Sequence, residues 1–405
     1  MRRILFVLIF CLFASSCAQT GISPRQASIG DSLLDSYNAA VAADPNNPEP
    51  RRMRCIYLAD VAERARTKAE WQNLRERALS DCEYVIKNAT DGRRIANTLD
   101  LIRVIDWRMA FLPKEYRCPQ SAEQAQAAAL RAYVTHKLNE ALPQYKAAVD
   151  GCPDNAAWWV EYGHTYMTMG DLKAAETYML EGVKRDRWER SGNLFLSDLY
   201  RGQGKLDLAY KHAALAVVSD PTYEFGWEQL RELAKAQGRE WRRVINRRAV
   251  VAYNTDDTPY ISFPLGTNLD APEYEFWSGL AIMEVVAIKR DIRPQMSVGI
   301  AHDTAATLRN LRRSGKTFPK RLMIDRELVK LNLGFQRDRI AKDPKTRSML
   351  TDVIQEAVDK GYLDEAIFLS LFDFRLVTEY VEYREKNAER LLDYIATILA
   401  PPQRL

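Results

Sequence analysis

Histidine is scarce in this sequence, and the common catalytic and metal-binding motifs are missing. The 405 residues include only His136, His164, His212 and His302, and none of them belongs to a His-Glu-x-x-His zinc helix. The cysteines show no Cys-x-x-Cys spacing, which excludes the usual zinc and dithiol motifs. A Gly-x-x-x-x-Gly-Lys phosphate loop and a Gly-x-Ser-x-Gly nucleophile turn are also absent. We therefore predict no catalytic residue, no metal site and no cofactor.

A strong net charge is lacking as well. Lys and Arg number 58 and Asp and Glu 54, which gives a formal charge of +4 at pH 7. Domains that bind nucleic acid are usually strongly basic or carry a basic stripe, so we predict no nucleic-acid partner. The basic runs 239–248 and 309–321 leave open a patch for anionic lipid or an acidic partner. A solvated helix face and loop is the simpler interpretation of both runs.

The apolar run at the N-terminus is too short to span a membrane. It extends from Ile4 to Phe13, whereas a spanning helix needs roughly 20 apolar residues. Arg2 and Arg3 precede the run, and the small residues Ala14 to Ser16 follow it. This order is typical of a secretory signal peptide, so residues 1–16 are predicted to be removed from the mature chain.

Ala14-Ser15-Ser16-Cys17 resembles the lipobox of bacterial lipoproteins, in which the cysteine becomes the lipidated first residue. The family usually has leucine where Ala14 stands. The resemblance implies that Cys17 is lipidated and that a lipid anchor holds the chain at a membrane. Because Ala18 and not aspartate follows, it also implies an outer-membrane lipoprotein that faces the periplasm. Cleavage after Ala18, which gives a soluble periplasmic or secreted protein, is the alternative.

A period of 34 residues runs through the middle of the chain. Gly170, Gly204 and Gly238 recur at this spacing, and His136 stands one period before the first glycine. Other residues recur in the same register, namely Trp159 and Trp227, Tyr166 and Tyr200, Ala175 and Ala209, and Pro153 and Pro221. The pattern resembles the tetratricopeptide repeat, in which each unit is a helix, a tight turn and an antiparallel helix. A glycine between the helices suits the left-handed conformation that a helix end often needs.

The resemblance, strongest over residues 122–245, implies an all-α fold. We predict a tetratricopeptide-like α-α superhelix, or solenoid, with a mainly helical C-terminal region that contains a short extended segment. The predicted parts are the signal peptide 1–16, divergent helical repeats over 17–121, tetratricopeptide-like repeats over 122–248 and a C-terminal region over 249–405. No family is assigned to residues 249–345.

Periodicity and breakers predict further helices on both sides of the repeats. N-terminal helices are expected over 33–43, 51–66 and 70–87. Extended runs are expected at 249–253 and 260–265. Helices are expected after them, over 273–289, 298–313, 325–340, 346–360 and 365–399. The last of these helices is either continuous or interrupted. Gly361 resembles the repeat glycines in its surroundings.

Apart from the lipidated Cys17, the mature chain contains four cysteines, and an even number in an oxidising compartment favours pairing. A helical hairpin that turns near residues 67–68 places Cys55 opposite Cys82. The turn at His136 likewise places Cys118 opposite Cys152. We therefore expect the disulfides Cys55–Cys82 and Cys118–Cys152, with four buried free thiols as the alternative.

The resemblance implies binding of a protein or peptide partner. Repeat solenoids present an extended concave face built from the first helix of each unit. The groove residues implied for this chain are Val160, His164, Met167, Leu194, Asp198, Arg201, Phe225, Glu228, Glu232 and Lys235. The leading hypothesis is a membrane-anchored periplasmic scaffold or adaptor in envelope complex assembly. The alternatives are an enzyme with its site in 249–345, near Asp256, Asp257, His302 and Asp303, and a purely structural envelope lipoprotein.

Overall fold

The computed structural model describes residues 24–62, 68–89, 98, 101–102, 111, 114, 116–244, 249–253, 259–263, 268, 270–289 and 321–403. The chain forms two compact units, Met1–Ile105 and Asp106–Leu405. Within the described ranges, no helix combines the length and apolar character needed to cross a membrane.

The first unit contains three described helices. They are α1 (Pro24–Ala43), α2 (Pro48–Ala62) and α3 (Lys68–Asn88). Cys55 and Cys82 form a disulfide between α2 and α3, with Cα atoms 5.7 Å apart, in the middle of a small apolar core. Beside it, the buried carboxylate of Asp81 accepts hydrogen bonds from Arg54 at 2.6 Å and Arg51 at 3.3 Å. The predicted α2–α3 hairpin is therefore present, and its cysteine register is the one that the sequence indicates.

The second unit begins with helices that alternate in antiparallel pairs. They are α4 (Gln120–Val134), α5 (Leu138–Gly151), α6 (Ala156–Met169), α7 (Leu172–Arg185), α8 (Arg190–Gly202), α9 (Leu206–Ser219) and α10 (Glu224–Ala236). Helices α4, α6, α8 and α10 are the first helices of successive units, and α5, α7 and α9 are the second helices. Cys118 and Cys152 form a second disulfide across the first pair, with a Cα–Cα distance of 5.4 Å. This is the predicted tetratricopeptide-like solenoid.

The turns within the pairs have the backbone conformation that the period predicts. Gly170, Gly204 and Gly238 have φ angles of 88°, 73° and 65°. His136 has a φ of 58°, so it occupies the left-handed region in the place where the other units have glycine. Gly361, with a φ of 78°, makes the same turn farther along the chain. The left-handed residues before α5, α7, α9 and α14 allow each of these helices to fold back on the helix before it, whereas Gly238 follows α10 and leads into a non-helical segment.

The recurrence of tryptophan and proline in the same register also has a structural basis. The indole Nε1 of Trp159 donates to the carbonyl oxygen of Pro153 at 2.8 Å, and Trp227 donates to Pro221 at 2.9 Å. Each tryptophan thus binds the loop before its own helix and fixes where the first helix begins. Between the helices, the glycine of the best-matching unit allows close approach, because a Cβ atom at Gly163 would lie 2.8 Å from both Cγ and N of Met179.

The C-terminal part is mainly helical and contains one antiparallel hairpin among its described residues, of β1 (Val250–Tyr253) with β2 (Pro259–Ser262). Its helices are α11 (Pro272–Lys289), α12 (Arg321–Lys342), α13 (Met349–Asp359), α14 (Leu363–Leu369) and α15 (Val377–Tyr394), the last continuing as a π-helical turn to Leu399. The helix expected over 365–399 is interrupted between α14 and α15, where Asp373 caps a short turn. The helix expected over 298–313 lies outside the described residues.

This C-terminal part packs directly on the repeats, and the two share one hydrophobic core. The hydroxyl of Tyr380 on α15 donates to the carbonyl of Val218, and Arg384 donates to that of Ser219, both at the end of α9. These two side chains therefore satisfy carbonyl groups that the end of a helix leaves without partners.

The basic run after α10 is not the solvated surface that the sequence favours. Arg239 donates to the carbonyls of Ala400 and Ala396 at 2.7 and 2.9 Å. Arg242 pairs with Glu356 at 2.6 Å, and Arg243 pairs with Glu224 while its guanidinium lies over the Trp227 ring. The described cations of this run therefore fasten the C-terminal part to the last repeat helix.

Candidate binding face

The first helices of the repeats contact one another through a row of polar and aromatic side chains, which we call the first-helix face. Between α4 and α6, the amide of Gln126 donates to Oε2 of Glu161 at 2.9 Å. Farther along the same two helices, about two turns on α4 and one turn on α6, the hydroxyl of Tyr133 lies 3.2 Å from Nδ1 of His164. These contacts set the spacing of the two helices along their length.

The row continues across α8 to α10. The imidazole of His164 stacks on the ring of Phe195, with centroids 4.0 Å apart and planes within 10° of parallel. On α10, the side-chain amide of Gln229 reaches back to α8, where it lies 3.3 Å from the carbonyl oxygen of Leu194 and 3.3 Å from Oδ1 of Asp198. A continuous face therefore extends over four helices.

Two of the predicted groove residues are buried in the packing between helices, so those two assignments are wrong. Val160 is 2% exposed, and its methyl group fills the space above Gly182 and Gly192, where an added Cβ would lie 2.6 and 2.7 Å away. Leu194 is 6% exposed. Glycines bring the helices around Val160 close together, and neither Val160 nor Leu194 is accessible to a partner.

The other predicted groove residues lie at the surface to different degrees. His164, Met167 and Asp198 are half-buried, whereas Arg201, Phe225, Glu228, Glu232 and Lys235 are exposed. Phe225, with 47% of its surface exposed, is a large apolar side chain at the start of α10. The accessible part of the face is therefore charged toward α10, with one exposed aromatic ring.

The charges of this accessible part mostly neutralise one another. Asp198 pairs with Arg201 at 2.7 Å, and Arg231 lies 3.2 Å from both Glu228 and Glu232. Burial raises the pKa of Asp198, and the nearby Arg201 opposes that shift. Burial lowers the pKa of His164 to about 4, so its imidazole is neutral at pH 7.

Sequence reasoning missed the residues that join the first helices. Glu161, Phe195 and Gln229 occupy one register of the 34-residue period, directly after Val160, Leu194 and Glu228 in the sequence. That shared register is the signal that would have identified them. Their side chains reach the neighbouring first helix, whereas two of the three residues assigned to the groove immediately before them do not reach the surface.

The enzyme alternative rests on residues that the structure does not describe, since Asp256, Asp257, His302 and Asp303 all lie outside the described ranges. Within those ranges, no group of three or more His, Cys, Asp or Glu residues is arranged to hold a metal ion. The C-terminal part does contain a buried ionic cluster. Glu284 on α11 accepts hydrogen bonds from Arg321 on α12 at 2.7 Å and from Arg375 at 2.7 Å. This cluster joins α11, α12 and the loop before α15.

A pocket of about 550 Å³ lies where the α7–α8 linker meets α15. Its wall includes Arg187, Trp188, Arg190 and Arg384. Arg187 pairs with Glu389 and Arg190 with Asp220, each at 2.6 Å, while the guanidinium of Arg384 lies 4.5 Å from the centre of the Trp188 ring. These arginines are therefore engaged within the protein.

No family model matches this chain, and no curated protein matches it. Solved structures of tetratricopeptide proteins are similar to parts of it. The first tetratricopeptide domain of Spaghetti (RPAP3), bound to the HSP90 peptide SRMEEVD, is 19% identical with a TM-score of 0.28, over 29% of this chain and 94% of that one. The Arabidopsis OM64 domain is 16% identical with a TM-score of 0.28, over 29% and 97% of the two chains. YrrB, a tetratricopeptide protein with an unusual peptide-binding site, is 12% identical with a TM-score of 0.26. The match covers 48% of this chain and 97% of that one.

Proposed function

We propose that this chain is a scaffold whose first-helix face binds an extended segment of a protein partner. The observation that carries the proposal is the row of partly exposed side chains from Gln126 on α4 through His164 on α6 to Phe195 on α8, with the exposed Phe225 on α10. Because each first helix adds one step to the row, an extended segment lying across the helices meets a new set of side chains at each step.

The chemistry of the face supports a partner with an apolar anchor and polar flanks. Phe225 exposes a large aromatic surface, and such rings contribute much of the binding energy at interfaces. Exposed Glu228, Glu232 and Lys235 on the same helix provide polar groups around it. Apolar contact supplies affinity, and the charged groups supply orientation and specificity.

Under this proposal the partner belongs to the cell envelope. The signal-like residues before Cys17 support export, and the lipobox resemblance supports an acyl anchor on that cysteine. The pairs Cys55–Cys82 and Cys118–Cys152 support an oxidising compartment, because disulfides persist there and are rare in the cytosol.

Photo-crosslinking in cells tests the binding face. A photoreactive residue at Phe225 is expected to capture one discrete envelope protein, identified by mass spectrometry. The matched control is Leu208 on the second helix α9, which is 41% exposed against 47% for Phe225. Equal capture from both positions would contradict a face-specific scaffold. Capture from neither would favour the enzyme or the structural alternative.

The mass of the mature N-terminus tests the anchor. A lipoprotein is expected to begin at Cys17 and to carry acyl chains on that residue. An unmodified N-terminus at Gln19 would instead show cleavage after Ala18 and a protein without a lipid anchor.

A further inference from the structure

Glu161 differs from the other carboxylates of the first-helix face. Asp198, Glu228 and Glu232 each have an arginine within 3.2 Å. Among the described residues, Glu161 has no cationic partner, and its hydrogen bond is with the neutral amide of Gln126 at 2.9 Å. The described part of the chain therefore provides no cation to pair with the ionised form of Glu161.

The surroundings of Glu161 remove water from it without adding a positive charge. Burial raises the pKa of the Glu161 carboxyl, and the hydrogen bond from Gln126 opposes the shift. His164 lies one helical turn away on α6, on the same side of the helix. Because its pKa is lowered to about 4, its imidazole does not supply a cation at pH 7.

A cluster of aromatic rings lies around His164, one helical turn from Glu161 on α6. Tyr133 and Phe195 flank His164, with ring centroids 5.7 and 4.0 Å from the imidazole centroid. Lysine and arginine side chains combine an apolar stem, which packs on such rings, with a charged end that is attracted to ring faces and to carboxylates. A carboxylate that has lost water and lies one helical turn from a cluster of aromatic rings is therefore complementary to a basic side chain.

We propose that the α4–α8 part of the first-helix face selects a lysine or arginine of the partner segment, with Glu161 as its counter-ion and the Tyr133–His164–Phe195 stack as the platform for its stem. This inference rests on the proposed function, since it names the residue class that the face selects. The partner segment is basic at this point of the face, although the net charge of the chain indicates no such preference.

The experiment uses a random dodecapeptide library displayed on phage and selected against the complete mature protein. Selected peptides are then synthesised, and their Kd values are measured by fluorescence anisotropy. The protein variants are Glu161→Gln, which keeps the shape and the contact with Gln126, and the control Glu140→Gln, which removes one exposed carboxylate of the second helix α5, outside the first-helix face. Phe225→Ala reports whether a peptide uses the face at all. Unfolding midpoints confirm that each variant is folded.

We expect the selected peptides to be enriched in lysine or arginine. Glu161→Gln is expected to weaken binding by at least about tenfold, the range for a charge-assisted contact, whereas Glu140→Gln changes Kd by less than about twofold. Replacing the critical lysine by norleucine, or arginine by citrulline, is expected to weaken binding to the wild-type protein and to have little further effect on Glu161→Gln.

The failures of the two proposals are distinguishable. Peptides that lose affinity with Phe225→Ala but bind Glu161→Gln as tightly as wild type would overturn the basic-residue inference and leave the binding face intact. Both proposals would be overturned by peptides whose Kd is the same for wild type, Phe225→Ala and Glu161→Gln. A selection that yields no binding peptide would overturn them as well.

Discussion

Gly163→Ala is expected to destabilise the second unit, although alanine is the better helix former. A Cβ atom at this position would lie 2.8 Å from Cγ and N of Met179 and 2.9 Å from the carbonyl oxygen of Ala175. Two of these three atoms belong to the α7 backbone, so α6 and α7 must move apart to accommodate the methyl group. Overpacking of this kind costs about 3 kcal/mol at the upper end of its usual range. The higher helix propensity of alanine returns about 1 kcal/mol, which leaves a net loss of about 2 kcal/mol.

Gly202→Ala is the matched control, because Gly202 also lies in a first helix and a Cβ there meets nothing within 4 Å. This change is expected to stabilise the protein by up to about 1 kcal/mol. Urea unfolding of the complete chain measures both variants, with the midpoint compared at an unchanged denaturant slope. A Gly163→Ala midpoint at or above that of wild type would refute the argument that close helix contact requires this glycine. So would an equal decrease in both variants.

Three further predictions concern stability. Replacing Cys118 and Cys152 together by serine removes a disulfide between residues 34 positions apart in the sequence. The free energy of unfolding in urea should fall by about 2–4 kcal/mol. A change below about 0.5 kcal/mol would argue against a role of this disulfide in restricting the unfolded chain. Burial lowers the pKa of His212 from 6.5 to about 4. As the pH falls, the unfolded chain therefore binds a proton at this residue before the folded chain does. The contribution of His212 to stability falls between about pH 6.5 and pH 4. The difference in free energy of unfolding between wild type and His212→Gln should therefore be smaller at pH 5 than at pH 7. A difference that does not change with pH would contradict this prediction. Tyr380→Phe removes the hydrogen bond to the Val218 carbonyl and should cost about 1–3 kcal/mol in the same assay, whereas an unchanged midpoint would mean that this contact does not stabilise the packing of α15 on α9.

Periodic features of the fold could be predicted from the sequence because each depends on local conformation. Gly170, Gly204 and Gly238 were identified by spacing alone, and the same spacing identified His136 as a turn residue despite its side chain. The cysteine pairs followed from the hairpin register, since residues equidistant from a turn lie opposite each other in antiparallel helices. The extended runs expected at 249–253 and 260–265 correspond largely to β1 and β2, although their pairing in a hairpin was not predicted.

Features that depend on the packing of distant segments could not be predicted in this way. The burial of Val160 follows from its contact with two glycines, one on α7 and one on α8, which no single-helix pattern contains. The contacts of Tyr380 and Arg384 with the end of α9 join residues more than 160 positions apart, and periodicity carries no information about such pairs. The same holds for Arg239 and Arg242, whose partners lie in the C-terminal part.

The contacts between the segment after α10 and the segment after α15 bear on self-association. A stack of helical repeats can in principle be extended indefinitely, since the last unit presents the same surface that the next unit would cover. Here the backbone N–H groups of Glu240 and Arg242 donate to the carbonyls of Pro401 and Leu399 at 2.9 and 2.8 Å. The backbone groups that follow α10 are therefore already occupied within the same chain. A second copy that adds to the array at this end must first displace a hydrogen-bonded segment, which disfavours end-to-end polymerisation at this end of the array.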